Sequence, residues 1–97
     1  MVDKIRDRLG YITLLFMRAR DLAKLGKKGE IRPRLDGNSV VVELIVEDER
    51  MRFAVGDKGQ IAGPGPAIGL GSIDDDGIAE RLANAIKAEL AKRVQEK

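Results

Sequence analysis

Between Ile31 and Ile61 apolar residues alternate with polar ones, and three turn signals cut that alternation into strands whose pairing follows from the turns. A two-residue loop at Gly37-Asn38 pairs Asp36 with Ser39, Leu35 with Val40, Pro33 with Val42 and Ile31 with Leu44. A second loop at Asp48-Glu49 pairs Val46 with Met51, Leu44 with Phe53 and Val42 with Val55. A third hairpin, with Asp57-Lys58-Gly59 as its loop and the glycine in the left-handed region, sets Val55 opposite Ile61. All three put the apolar residues on one face, and a one-residue slip anywhere would invert every side chain. The chain is thereby held to an antiparallel meander. Pro33 assigns the first strand to an edge, because proline cannot donate to a central ladder.

Helical spacing flanks this sheet on both sides. Ile5, Leu9, Ile12, Phe16, Ala19 and Ala23 predict a helix from Asp3 to Leu25, ended by Gly26-Lys27-Lys28-Gly29. Its middle, Tyr11 to Met17, is apolar nearly all the way round, whereas a helix lying on a sheet needs one apolar stripe. Tyr11, Leu14, Phe16 and Met17 are therefore expected to meet another copy of the chain. Gly10 costs the helix about 1 kcal/mol relative to alanine, and is read as either tolerated or opening room for a second backbone. Gly63 to Gly71 reads as a loop, followed by a helix from Ser72 with Asp75 as capping-box partner and Asp74 to Asp76 at its positive end. Ile78, Leu82, Ala85, Ile86, Leu90 and Val94 give that helix its stripe, with Lys92, Arg93 and Lys97 towards its C-terminus. The expected fold is α+β: helix, four-stranded antiparallel meander, helix, with both helices on the Val42/Leu44/Phe53 face of the sheet.

The 97 residues suit one domain, 1–97. Cysteine and histidine are both absent, which removes disulfides, thiolate nucleophiles, the commonest zinc ligands and the usual acid–base group near neutral pH. The chain is expected to be a binding or assembly module and not an enzyme, with no cofactor, no metal and no small-molecule substrate. It has no apolar run of about 18 residues and opens with Met1-Val2-Asp3-Lys4, so a cytoplasmic protein without a membrane partner is expected. The lack of both residue types, with 35% charged residues, also suits a thermophile.

Charge is unevenly placed. Residues 1–34 hold ten Lys or Arg against four acids and the remainder eight against twelve, so a chain of net charge +2 divides into +6 and −4. On the face of the sheet opposite the apolar one, the pairing puts Arg32 opposite Glu43, Arg34 opposite Val41 and Arg52 opposite Ile45, with Ala54 nearby. Arg32, Arg34 and Arg52, with Lys27, Lys28 and Arg50 at the margins, are suited to neutralising a phosphate backbone. Arginine planes and the aliphatic Val41 and Ile45 supply packing surface for bases, Tyr11, Phe16 and Phe53 being the only aromatic residues. The glycine-rich loop lacks the Gly-Lys-Ser/Thr ending of a phosphate loop and leads into aspartates. Asp74 to Asp76 are read as helix capping, since consecutive helical residues point about 100° apart and do not converge on one ion. Glu43 beside Arg32 is read as a cross-strand ion pair.

Helix, antiparallel strands, helix resembles the double-stranded RNA-binding domain, whose second helix opens with a lysine-rich motif. Here that place is held by Ser72-Ile73-Asp74-Asp75-Asp76-Gly77, which speaks against RNA-duplex binding. The element order and the basic sheet face (Arg32, Arg34, Arg52) also resemble the ThermoDBP-related single-stranded DNA-binding proteins of archaea, over Asp3 to about Val94, as architecture without a shared residue motif. That resemblance implies a sheet backed by helices, copies that associate, and single-stranded DNA as ligand. The expected function is a homo-oligomer holding single-stranded DNA or RNA on the arginine face; the alternative is a non-catalytic adaptor or assembly subunit whose sheet face binds protein.

Overall fold

The computed structural model describes residues 2–56, 59–64, 68–69 and 75–96, the side chains of 2–8, 75–76 and 95–96 excepted. Helix α1 (Val2–Leu22) leads through a single 3-10 turn (Gly26–Lys28) into strands β1 (Gly29–Asp36), β2 (Ser39–Val46), β3 (Glu49–Val55), β4 (Gln60–Ala62) and β5 (Ile68–Gly69), and α2 (Asp75–Glu96) follows. The strands form one antiparallel sheet in chain order, β1 and β5 being its edges. The fold is α+β with five strands in the sheet, not four: Ile68-Gly69, read from sequence as loop, pairs with Ile61 and Gln60. Glycine and proline on either side hide so short a strand from any periodicity argument. The proposed start of the last helix at Ser72, with its Asp74 to Asp76 cap, lies outside the described side chains, as do Asp57 and Lys58 of the third loop.

Helix α1 stops before the glycines. Lys24 takes the left-handed conformation (φ 61), its N–H donates to the Asp21 carbonyl at 3.0 Å, and the Leu25 N–H donates to Arg20 at 3.2 Å. These are the two bonds of a Schellman cap, here closed by lysine in the place usually held by glycine.

The β1–β2 pairing is the one expected, from Asp36↔Ser39 to Gly29↔Val46, with Gly37 at φ 61 opening the turn. The third hairpin also agrees, pairing Val55 with Ile61 with Gly59 at φ 80. The second does not. Its loop is Glu47-Asp48, so Val46 faces Glu49, Leu44 faces Met51, Val42 faces Phe53 and Val40 faces Val55. The displacement is two residues along β3, which preserves the face of every side chain while changing its partner. This register pairs β2 and β3 over Val40 to Val46, whereas the expected one would have begun at Val42.

Alternate residues Val40, Val42, Leu44 and Val46 of β2, with Met51, Phe53, Val55, Ile61 and Ile68, join Ile12, Leu15, Phe16, Ala19 and Ala23 of α1 and Ile78, Leu82, Ala83 and Ile86 of α2 in one apolar core. No polar side chain among the described residues is buried in it. Phe16 and Phe53 meet with ring centroids 5.1 Å apart and planes tilted by 60°, a favoured aromatic geometry. Gly63 makes this seat possible: a Cβ there would lie 2.5 Å from the Phe53 ring. Val94, assigned to the apolar stripe of α2, is instead 72% exposed, because that stripe runs past the end of the core.

Candidate nucleic-acid interface

The second face of the sheet carries the alternate residues of its strands. Its cross-strand rows are Glu30–Ile45–Arg50, Arg32–Glu43–Arg52 and Arg34–Val41–Ala54–Ala62. Arg52 therefore stands opposite Glu43 and not Ile45, and Arg50, expected at the margin, takes the place opposite Ile45. Adjacent strands lie about 4.8 Å apart, so each row sets its β1 and β3 residues about 10 Å apart across a central residue of β2; in the middle row both are arginines, Arg32 and Arg52.

Arg32, Arg34, Arg50 and Arg52 are all exposed. The Arg32 Nε donates to Glu30 Oε1 at 3.1 Å, and Arg34 Nη1 lies 3.8 Å from Glu43 Oε1. Glu43 is thus engaged by Arg34, diagonal to it, and not by Arg32 directly across. The Arg32–Glu30 pair is solvent-exposed and the Arg34–Glu43 pair, with its half-buried glutamate, partly so; pairs of this kind contribute little, so an incoming anion can compete for either arginine. Arg50 and Arg52 make no ion pair with any described residue. Lys27 and Lys28 are exposed at the end of the sheet where β1 begins; Lys28 Nζ lies 4.0 Å from Glu47 of the second turn.

Two expected site residues are corrected by their burial. Val41 is only 4% exposed, since the central strand places it between the flanking residues Arg34 and Ala54, and it offers no surface to a base. Ile45 is half-buried, which leaves Ile45, Ala54 and Ala62 as the shallow aliphatic floor. Phe16, grouped with the self-association residues, is 1% exposed and belongs to the core, leaving Tyr11 (38%), Leu14 (66%) and Met17 (39%) on the outside of α1.

One cluster escaped sequence reasoning. Arg93 Nε donates to Glu89 Oε1 at 3.0 Å, while its Nη1 donates to Glu49 Oε2 at 3.1 Å and to the Arg50 carbonyl at 2.8 Å. The hydrogen bond that Arg93 donates to Glu89 does most to raise the Arg93 pKa above its ordinary value, burial opposes the rise, and Glu49 adds to it. The side chain ties the last turns of α2 to the β2–β3 turn. Only the Glu89/Arg93 spacing of four residues was visible beforehand; the partner 44 residues away was not.

Two shallow depressions lie on the helices among the described residues. One, of about 360 Å³, is lined by Tyr11, Leu14, Leu15, Met17, Arg18 and Asp21; another, of about 380 Å³, lies between α1 and α2 at Arg18, Leu22, Glu80, Ala83, Asn84 and Lys87. Among the described residues no group of three acidic side chains converges as metal ligands, and no helix is long and apolar enough to cross a membrane. No family model, no curated protein and no solved structure matches this chain.

Proposed function

We propose that the protein binds single-stranded nucleic acid on the open face of its sheet and does so as a self-associated assembly, without catalysing a reaction. The observation that carries this reading is the set of four exposed arginines, Arg32, Arg34, Arg50 and Arg52, arranged on β1 and β3 around a low aliphatic floor at Ile45, Ala54 and Ala62. Guanidinium groups pair with phosphate oxygens in two-point fashion and stack on bases, which suits a face poor in aromatic residues. The floor is flat and lacks a donor–acceptor pattern for base edges, so binding is driven by backbone charge and is tolerant of sequence.

The test is the anisotropy of a labelled oligonucleotide at several salt concentrations. Arg52→Ala and Arg50→Ala should each weaken binding about equally for different sequences, and make the dependence of log affinity on log salt shallower by roughly 0.7 per lost contact. Arg81→Ala, at an exposed position of α2, is the control. Absence of binding at about 50 mM salt refutes the reading, because electrostatic association is strong there.

The adaptor reading draws on a different observation: Glu30 and Glu43 already sit beside Arg32 and Arg34, so the face carries both signs of charge. For a protein partner, Arg32→Ala should chiefly raise the dissociation rate, with little change in association.

A further inference from the structure

The four arginines of the open face stand on two strands that are braced unequally. Arg32 and Arg34 lie on β1, whose hairpin with β2 closes on Gly37. Arg50 and Arg52 lie on β3, which begins directly after the turn that holds Glu47 at φ 55, a conformation L side chains adopt at a steric cost. With Val46 and Glu49 closing that two-residue loop, the next pair, Ile45 and Arg50, exchanges no hydrogen bond, so the Arg50 N–H and C=O face away from β2. On that side β4 pairs with Ala54 and Val55, and among the described residues no strand runs beside Arg50. The sheet itself therefore gives the Arg50 backbone little support.

Arg93 of α2 supplies what the sheet does not. Its Nη1 donates to the Arg50 carbonyl at 2.8 Å and to Glu49 Oε2 at 3.1 Å, while its Nε donates to Glu89 Oε1 at 3.0 Å. Successive residues of a strand point to opposite faces, so Glu49 turns towards the helices and Arg50 towards the open face. Arg93 thus holds two consecutive residues from behind the site, one by its side chain and the other by its main chain. The planar guanidinium keeps its donors at fixed angles, and Glu89, one turn back on α2, fixes that plane. Held on both sides of its Cα, Arg50 has a set direction for its side chain, which stays exposed and forms no ion pair with any described residue. Glu49 is the acid next to Arg50 in the chain, and Arg93 also balances its charge where a phosphate would approach.

We infer that Arg93 is a positioning residue of the nucleic-acid site: it lies behind the sheet, out of reach of the ligand, and sets Arg50 for its phosphate contact through Glu49 and the Arg50 carbonyl. This rests on the nucleic-acid part of the proposed function and is independent of the self-association part. A side chain of the last helix, 43 residues away from Arg50 in the chain, thereby belongs to the machinery of the open face.

A double-mutant cycle, read by the anisotropy of a labelled single strand of mixed sequence, tests this role. Arg93→Ala should weaken binding about threefold and make the dependence of log affinity on log salt shallower by roughly 0.7, as Arg50→Ala does. Added to Arg50→Ala, the same substitution should change neither quantity, whereas added to Arg52→Ala it should keep its full effect. A general loosening of the fold, or a long-range effect of the lost charge, would act alike in all three backgrounds; circular dichroism confirms that each variant is folded. Unchanged affinity for Arg93→Ala, or an equal loss with and without Arg50, overturns the positioning role and leaves the site standing. Absence of binding by the wild type overturns the nucleic-acid reading and this inference with it.

Discussion

The first and second hairpins of the sheet have loops of equal length and different chemistry. Gly37-Asn38 closes the β1–β2 hairpin with glycine at φ 61; Glu47-Asp48 closes the β2–β3 hairpin with glutamate at φ 55. The backbone makes the same demand in both places, and only one loop carries the residue that meets it without steric cost. The first hairpin is specified by its turn. The second is specified by what lies beyond it: Met51 and Phe53 enter the core, and Arg93 holds Glu49 and the Arg50 carbonyl from α2. Turn chemistry and packing are thus alternative sources of register, and a strained turn is tolerated where packing is strong.

This division can be broken most forcefully at Phe53. Phe53→Ala should destabilise the protein by about 3–5 kcal/mol in urea denaturation, through loss of a fully enclosed aromatic ring and its contact with Phe16. Next comes Gly37→Glu, which forces an L side chain into the left-handed region where nothing else obstructs it, at a cost of about 1–2 kcal/mol. Arg93→Ala should cost about 1 kcal/mol, the partial exposure of its ion pairs keeping the loss small, and hydrogen exchange should quicken around Glu49 and Arg50 while the Gly37 hairpin stays protected. The smallest effect has the opposite sign: Glu47→Gly should stabilise by about 0.5 kcal/mol, as relief of the positive φ outweighs the added freedom of the unfolded chain. Equal responses of Gly37→Glu and Glu47→Gly would show that the two turns are not under different control.

The same contrast explains what could be read from the sequence. The pairing of β1 with β2 was legible because Gly37-Asn38 announces its own turn, and Val55 opposite Ile61 was legible because Gly59 does likewise. Between them, Glu47-Asp48-Glu49 holds no glycine or asparagine, so parity of the apolar residues identified the face of every side chain without locating the turn. That two-residue difference moved Arg52 from Ile45 to Glu43 and shifted Arg50 from the margin of the candidate site to the place opposite Ile45. Burial was legible for Phe53 but not for Val41, whose alternation marks it as outward while its central position encloses it. The Glu49–Arg93–Glu89 cluster depends on tertiary proximity and left only the spacing of Glu89 and Arg93 as a trace.

The edges of the sheet bear on how the protein behaves when crowded. An unpaired strand edge is a template onto which another chain can add, and repeated addition leads to fibrils. At one edge β1 extends over eight residues but has Pro33 near its middle, which supplies no N–H and interrupts any continuous new ladder. Glu30, Arg32, Arg34 and Asp36 add charges along the same strand. At the other edge of the described sheet lies β5, Ile68–Gly69. Growth by strand addition is thereby discouraged along β1, where a missing donor and a row of charges make a poor template.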